Sequence, residues 1–267
     1  MPRARIGEVS LHYESTGVGA PVLLVMGLGM NATGWWRTVP VLAAAGLRVL
    51  SFDNRGVGRS ARPRGPYTTA MLADDAVAVL DAAAVERAHV YGISLGGMIA
   101  QEIALRHPER VARLVLGATT SGGDGATAAD RQTLEFFQRR GQMTALEAVW
   151  ASVPYNYSTH TRAEHGDRIA RDISQRLRYP IEPEFYAAQL AAALAHDTHE
   201  RLAQIHAPTL IVHGLEDLMV PPANGRLLAS RIPAARLLEL PGAAHLYPTD
   251  EPSADHDVAA FLGTSPD

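Results

Sequence analysis

The chain has 267 residues and a formal charge of −4, with 47% hydrophobic and 19% charged residues. That is the balance of one large globular core, or of one core carrying an inserted lid, and it excludes disordered, collagen-like and coiled-coil chains. There is no Cys and all 24 basic residues are Arg. Thiolate nucleophiles, disulfides, cysteine-based zinc sites, Schiff-base lysines and the lysine of a phosphate-binding loop are therefore excluded, and no basic stripe invites nucleic acid or an anionic membrane.

The opening MPRARIGEVSLHYES lacks the apolar centre of a signal peptide, and no 18-residue apolar stretch follows, so a cytoplasmic location is expected. Residues 9–14 alternate in polarity and read as an antiparallel edge strand. Short apolar runs then recur at 21–26 (PVLLVM), 47–52 (LRVLSF), 88–91, 113–116, 209–213 (TLIVH) and 235–240 (ARLLEL). Helical patterns occupy 68–84 and 95–107, the second stopped by Pro108. This alternation predicts an α/β fold with a mostly parallel sheet. From Ser121 to about Glu200 the rhythm breaks: a Gly-rich hinge (SGGDG) precedes helix-like segments that hold half of the sixteen Phe, Trp and Tyr residues. The expected organisation is a core of residues 1–120 and 201–267 with a helical cap inserted at 121–200. Cap aromatics such as Trp150 and Tyr155 either glue cap to body or face a pocket.

Two stretches compete for the chemistry. Gly27-Leu28-Gly29-Met30-Asn31-Ala32 follows a strand, and Asp53 ends the next one, as in a dinucleotide fingerprint. That site needs a helix to begin within the glycine turn, so that free N–H groups meet a pyrophosphate. Here the helix start falls at Thr38 as cap with Pro40 in the first turn, some ten residues too late. Asp53 and Asn54-Arg55-Gly56 read better as a turn held by local hydrogen bonds.

The other stretch, Gly92-Ile93-Ser94-Leu95-Gly96, lies between a strand and a helix. So tight a turn strains the central residue, projects its hydroxyl, and leaves the Leu95 N–H free at a helix N-terminus where an oxyanion would form. A serine hydroxyl needs a base and an orienting acid. Leu215-Glu216-Asp217 and Ala243-Ala244-His245 each follow a later strand. Parallel strands put their carboxyl ends on one rim, so Ser94, Asp217 and His245 can converge there. Glu216 competes with Asp217 for the acid role, with the GxxD spacing favouring Asp217. Of the other histidines, His213 reads as buried structure and His89 and His107 as flanking residues. His196 and His199 have helical spacing but no third ligand in register, so no metal is expected.

On these residues the chain resembles an α/β-hydrolase along essentially its whole length. MGLGM is similar to the oxyanion loop, FDNRGVGRS to the turn after the following strand, YGISLGGMIAQ to the nucleophile elbow, LIVHGLEDLMVPP to the acid loop and LPGAAHL to the histidine loop. Within that superfamily it resembles the capped esterases and lactonases, including enol-lactonases and polyketide methyl esterases. The resemblance implies a mostly parallel eight-stranded sheet flanked by helices, Ser94 as nucleophile, Asp217 as acid, His245 as base, and Leu28 and Leu95 N–H groups as oxyanion donors. Many relatives carry His-Gly at the oxyanion loop where this sequence has Met26-Gly27, so a histidine buttress is absent.

The expected activity is cofactor-free hydrolysis of a carboxylic ester or lactone, with carbon–carbon bond hydrolysis or lyase chemistry, perhydrolysis and a non-catalytic ligand receptor as the alternatives. The expected partner is a small molecule, with no nucleic acid or membrane, and the oligomeric state is open. Gly27, Met30, Trp35, Trp36, Met98 and Met219 adjoin the catalytic loops. If they line the cleft together with Trp150 and Tyr155, the substrate is bulky, mostly apolar and without strong charge.

Overall fold

The computed structural model describes residues 2–263. Eight strands, β1 (Arg3–Ile6), β2 (Val9–Thr16), β3 (Ala20–Val25), β4 (Leu47–Phe52), β5 (Ala88–Ile93), β6 (Val111–Gly117), β7 (Thr209–Gly214) and β8 (Arg236–Leu240), form one sheet in the order β1-β2-β4-β3-β5-β6-β7-β8. β1 and β2 pair antiparallel, as do β2 and β4, and every pairing from β4 to β8 is parallel. Short runs of Val, Leu and Ile suit strands buried on both faces, which need no polar alternation. Residues 9–14 are therefore not the edge: the unforeseen β1 covers them. With two arginines in four residues and only Ala4 fully buried, β1 carries almost no apolar signal.

Helices cover both faces. α1 (Thr38–Ala44) and α12 (Ala254–Gly263) set Leu42, Val258 and Phe261 against Val22, Leu24, Val49, Tyr91 and Val212. α2 (Thr69–Ala82), α3 (Leu95–Arg106) and α10 (Ala223–Arg231) set Leu72, Ile99 and Leu228 against Leu23, Leu50, Val90 and Ile211 on the opposite face. The period-2 alternation of each strand sorts these residues into two cores. A short α11 (Tyr247–Asp250) precedes α12. No helix among the described residues is long and apolar enough to cross a membrane.

Helix starts follow local chemistry. Thr68 caps α2 by accepting from Met71 N at 3.1 Å. Thr38 is instead the first residue of α1, and its hydroxyl donates to Asp255 Oδ2 at 2.7 Å rather than capping the helix. Asp255 is 1% exposed, and its Oδ1 meets no partner among the described residues. Burial pushes its carboxyl pKa up to about 7, against the Thr38 hydrogen bond and the Arg37 charge. The folded state thus holds this proton more tightly than the unfolded chain, so stability falls as pH rises from the ordinary value of 3.8 toward 7 and levels off above. Asp255→Asn is expected to raise Tm at pH 8 by about 5 °C, with the gain shrinking toward zero near pH 4. Thermal melts across that range check it, and a gain independent of pH would refute the assignment.

Between β6 and β7 run α4 (Arg131–Arg140), α5 (Ala145–Ala151), α6 (Val153–Asn156), α7 (Thr159–Glu164), α8 (Gly166–Arg176) and α9 (Pro183–Leu194). The two ends of this segment are joined: Gly122 bridges Asp197, and Thr198 N donates to Ser121 O at 2.8 Å. Phe185 and Ala192 of α9 enter the core beneath α2 and α3. Val149, Tyr157, Ile169 and Ile173 form a smaller cluster closed by Leu246, which comes from the loop after β8.

Candidate active site

Ser94 stands between β5 and α3 with φ 58° and ψ −122°, a left-handed conformation that strains a residue bearing a Cβ. The surrounding structure holds it there. Ser94 N donates to Gly117 O at 2.9 Å, and Ser94 O accepts from Gly97 N at 2.9 Å and from Thr119 Oγ1 at 2.7 Å. Glycine is required on either side, because a Cβ on Gly92 would overlap the Gly96 carbonyl and one on Gly96 would overlap that of Val25. As the first residue of α3, Leu95 has an N–H with no acceptor inside the helix.

The loop after β7 carries Asp217, which is 3% exposed. Its Oδ1 accepts from Met219 N and Val220 N, both at 2.9 Å, and its Oδ2 lies 2.8 Å from His245 Nδ1. Burial alone would raise this carboxyl, but the charge of His245 and the contacts with His213 and His245 outweigh it and hold the pKa below 3.8. Asp217 is therefore ionised at neutral pH, and the stability it confers is lost only as pH falls through that lowered value. An ionised carboxylate only accepts, so Nδ1 is the nitrogen of His245 that donates to Asp217, and in the neutral imidazole Nε2 is then the acceptor. His213 is buried: its Nε2 donates to Val220 O at 2.8 Å and lies 3.6 Å from Asp217 Oδ2. Glu216 points elsewhere, accepting from Thr159 N at 2.8 Å.

The histidine loop is tied down on both sides of His245. Ala244 N donates to Asp250 Oδ2 at 2.7 Å and Leu246 N to Asn156 O at 2.8 Å. Asp250 also accepts from Ser158 N at 3.0 and 3.1 Å through its two oxygens.

The loop after β3 lies against the elbow, since a Cβ on Gly27 would stand 3.1 Å from Ser94 Cβ and 3.6 Å from its Oγ. Three side chains from elsewhere fix this loop. Asn54 Nδ2 donates to Met26 O at 3.1 Å, Asp53 Oδ1 accepts from Ala32 N at 2.8 Å, and Gln189 Oε1 accepts from Gly29 N at 3.0 Å. Gln189 also donates to Arg55 O at 3.0 Å and is fully buried. Residues 32–35 form a 3-10 turn and α1 starts only at Thr38, so no helix N-terminus faces the glycines of the dinucleotide-like motif. Asp53, taken up by Ala32 N and by Arg59, is a brace for the loop.

Ser94, His245, Leu28 and Leu95 all line one cavity of about 330 Å³, together with Gly27, Met30, Met98 and Met219. The other expected lining residues lie elsewhere. Trp35 is buried in the sheet core with its ring 4.9 Å from that of Tyr91. Trp36 donates from Nε1 to Asp172 at 2.8 Å, and Arg37 lies over its face. Trp150 is 57% exposed on α5, and Tyr155 stacks on Phe136 with ring centroids 4.3 Å apart. Trp35, Trp36 and Tyr155 are thus held in packing contacts and Trp150 faces outward; of the eight aromatics between residues 121 and 200, Phe137 lines the cavity. His196 lines it too, bonded to Thr69 Oγ1 at 3.0 Å, and burial pushes its pKa down to about 4, so it is neutral.

Sequence reading missed four residues here. Gln189 and Asp250 hold the loops that carry Gly29 and His245, and Arg140 and Arg176 stand in the cavity wall. Gln189 had a signal, as a lone amide within the apolar run of α9 (PEFYAAQLAAAL). The two arginines had none, because eight arginines fall between residues 131 and 178 and nothing in their spacing singles out a pair.

A family model described as the alpha/beta hydrolase fold matches residues 20–252, which include all of these loops. The chain belongs to this family. A protein provisionally named carbamate hydrolase RutD, from Azorhizobium caulinodans, is 35% identical over 259 residues, covering 97% of this chain and 96% of that protein. Among solved structures, a hydrolase from Pseudomonas aeruginosa has a TM-score of 0.85 at 32% identity and covers 98% of this chain and 97% of its own. The enol-lactonase from Burkholderia xenovorans has a TM-score of 0.88 at 27% identity, with 98% and 100% covered.

Proposed function

We propose that this protein is a serine hydrolase that cleaves a carboxylic ester or lactone of a largely apolar small molecule, with residues 121–200 acting as a cap over the site. The observation that carries the reading is the 2.8 Å contact between Asp217 and His245 Nδ1, which frees Nε2 in the cavity that Ser94 also lines.

In this reading His245 Nε2 takes the Ser94 proton as Oγ attacks the carbonyl carbon. The oxyanion of the tetrahedral intermediate accepts from the Leu28 and Leu95 N–H groups. Collapse breaks the bond to the alcohol oxygen, which leaves with the proton from His245, and the acyl group stays on Ser94. Water, deprotonated by His245, then attacks the acyl-enzyme and releases the carboxylic acid and the free serine. The cycle uses side chains, backbone N–H groups and water alone. The similarity to an enol-lactonase supports an acyl substrate, and the methionine-rich wall supports an apolar one.

A fluorophosphonate probe tests the reading directly, since it labels only a serine activated by a base and facing an oxyanion site. The wild-type protein should label stoichiometrically, and a folded Ser94→Ala variant should not. Absence of labelling in the wild type, or labelling that survives in the variant, would overturn it.

A further inference from the structure

The cavity wall carries two guanidinium groups and no carboxylate. Arg176, the last residue of α8, is buried at 9% exposure, and its Nη1 donates to Ser152 Oγ at 3.1 Å. Arg140, the last residue of α4, stacks its guanidinium 4.6 Å above the Tyr186 ring, and its buried Nε meets no acceptor among the described residues. Neither arginine forms an ion pair within 4.0 Å among the described residues. The carboxylate nearest in charge to Arg176, Asp172, is already taken up by Trp36 Nε1 at 2.8 Å and Thr249 Oγ1 at 2.5 Å. Burial lowers the Arg176 pKa and the neighbouring charge of Arg140 lowers it further, against the opposing influence of Tyr157 and Asp172.

Arg176 is buried and Arg140 is half-buried with its Nε enclosed, and two like charges so placed are costly to hold when neither has a carboxylate within ion-pair distance. Stacking on Tyr186 offsets part of this for Arg140 and fixes the plane of its fork. An anion bound between them would remove the cost and would satisfy the open donors with charge-assisted hydrogen bonds. Both side chains also border a small neighbouring cavity of about 40 Å³, and Arg140 Nη2 lies 3.5 Å from where a Cβ on Gly29 would stand. The pair therefore sits at the cap side of the site, beside the loop that carries Leu28.

We infer that Arg140 and Arg176 form a carboxylate-binding subsite, so that the substrate is an ester or lactone whose apolar body ends in a carboxylate held under the cap. This revises the expectation of an uncharged substrate, and it rests on the catalytic reading above. Arg is suited to the task because its planar fork matches the two oxygens of a carboxylate and stays charged when buried.

The test uses mono-p-nitrophenyl esters of succinate, glutarate, adipate and pimelate, each against the same acyl chain ending in a carboxamide. For at least one chain length the wild-type kcat/KM should favour the carboxylate form by about tenfold or more, as for a hydrogen bond to a charged group. Arg140→Met and Arg176→Met should each reduce that ratio toward one. A wild-type ratio near one at every length, or a ratio that neither variant changes, overturns the proposal.

A second measurement covers variants that do not fold and is independent of turnover. The Ser94→Ala protein should gain thermal stability from adipate or glutarate but not from adipamide or glutaramide. Equal shifts from acid and amide, or none from either, would overturn the subsite. Failure of the catalytic reading alone would instead abolish fluorophosphonate labelling and hydrolysis of the carboxamide esters while leaving the acid-specific shift in place.

Discussion

Replacing Ser94 by alanine is expected to lower kcat for p-nitrophenyl butyrate by about 10⁵-fold or more, with the fold and Tm nearly unchanged. The size follows from the proposed covalent route: without Oγ no acyl-enzyme can form, and the other groups can only bind the ester and polarise its carbonyl. The small structural effect follows from the backbone. Ser94 is held by its own N–H and carbonyl, bonded to Gly117, Gly97 and Thr119, and alanine keeps all three bonds. The positive φ remains equally strained for either side chain. Steady-state kinetics and circular dichroism on one preparation check both halves. A folded variant that turns over within a hundredfold of the wild type would remove Ser94 from the nucleophile role.

Asp217→Asn is the second large effect, with an expected loss of about 10⁴-fold in kcat and little change in KM. The asparagine amide fits the same space but can offer N–H groups where the carboxylate offered only lone pairs. His245 then loses the partner that keeps its proton on Nδ1, and the imidazolium formed during attack loses its counter-charge. The contacts from Met219 N and Val220 N can still be accepted by the amide oxygen, so the loop should keep its shape. Glu216→Gln is the control, because that side chain is engaged with Thr159 N and not with the imidazole. If the two variants lost activity equally, the acid role would not belong to Asp217.

The parts of the molecule legible in the sequence are those whose signal is local. Runs such as TLIVH and LRVLSF mark strands because they are short, mostly apolar and set between longer helical patterns, and the structure places strands at Thr209–Gly214 and Leu47–Phe52. Asp217 and His245 could be named because each follows such a strand within a few residues, and parallel topology carries strand ends to one rim. β1 was illegible because pairing with β2, and not its own composition, makes it a strand. The cavity wall was illegible for a similar reason. Whether Trp35 faces the core or the cleft depends on how the 3-10 turn at Ala32–Trp35 is oriented, and that is set by Asp53 and Gln189, which are distant in sequence. Arg140 and Arg176 end α4 and α8, so only the packing of the helices between β6 and β7 brings them to one wall.

The seams between the helical segment of residues 121–200 and the rest of the chain bear on how such enzymes can be rebuilt. Backbone amides of residues 158 and 159 are received by Asp250 and Glu216, and the carbonyl of Asn156 receives the amide of Leu246. A chimera that exchanged this region for a foreign one at the Ser121 and Thr198 joint would therefore cut the moorings of the His245 loop as well as reshape the pocket. Grafts that carry residues 216 and 250 along with the donor segment should keep turnover where grafts of the segment alone lose it.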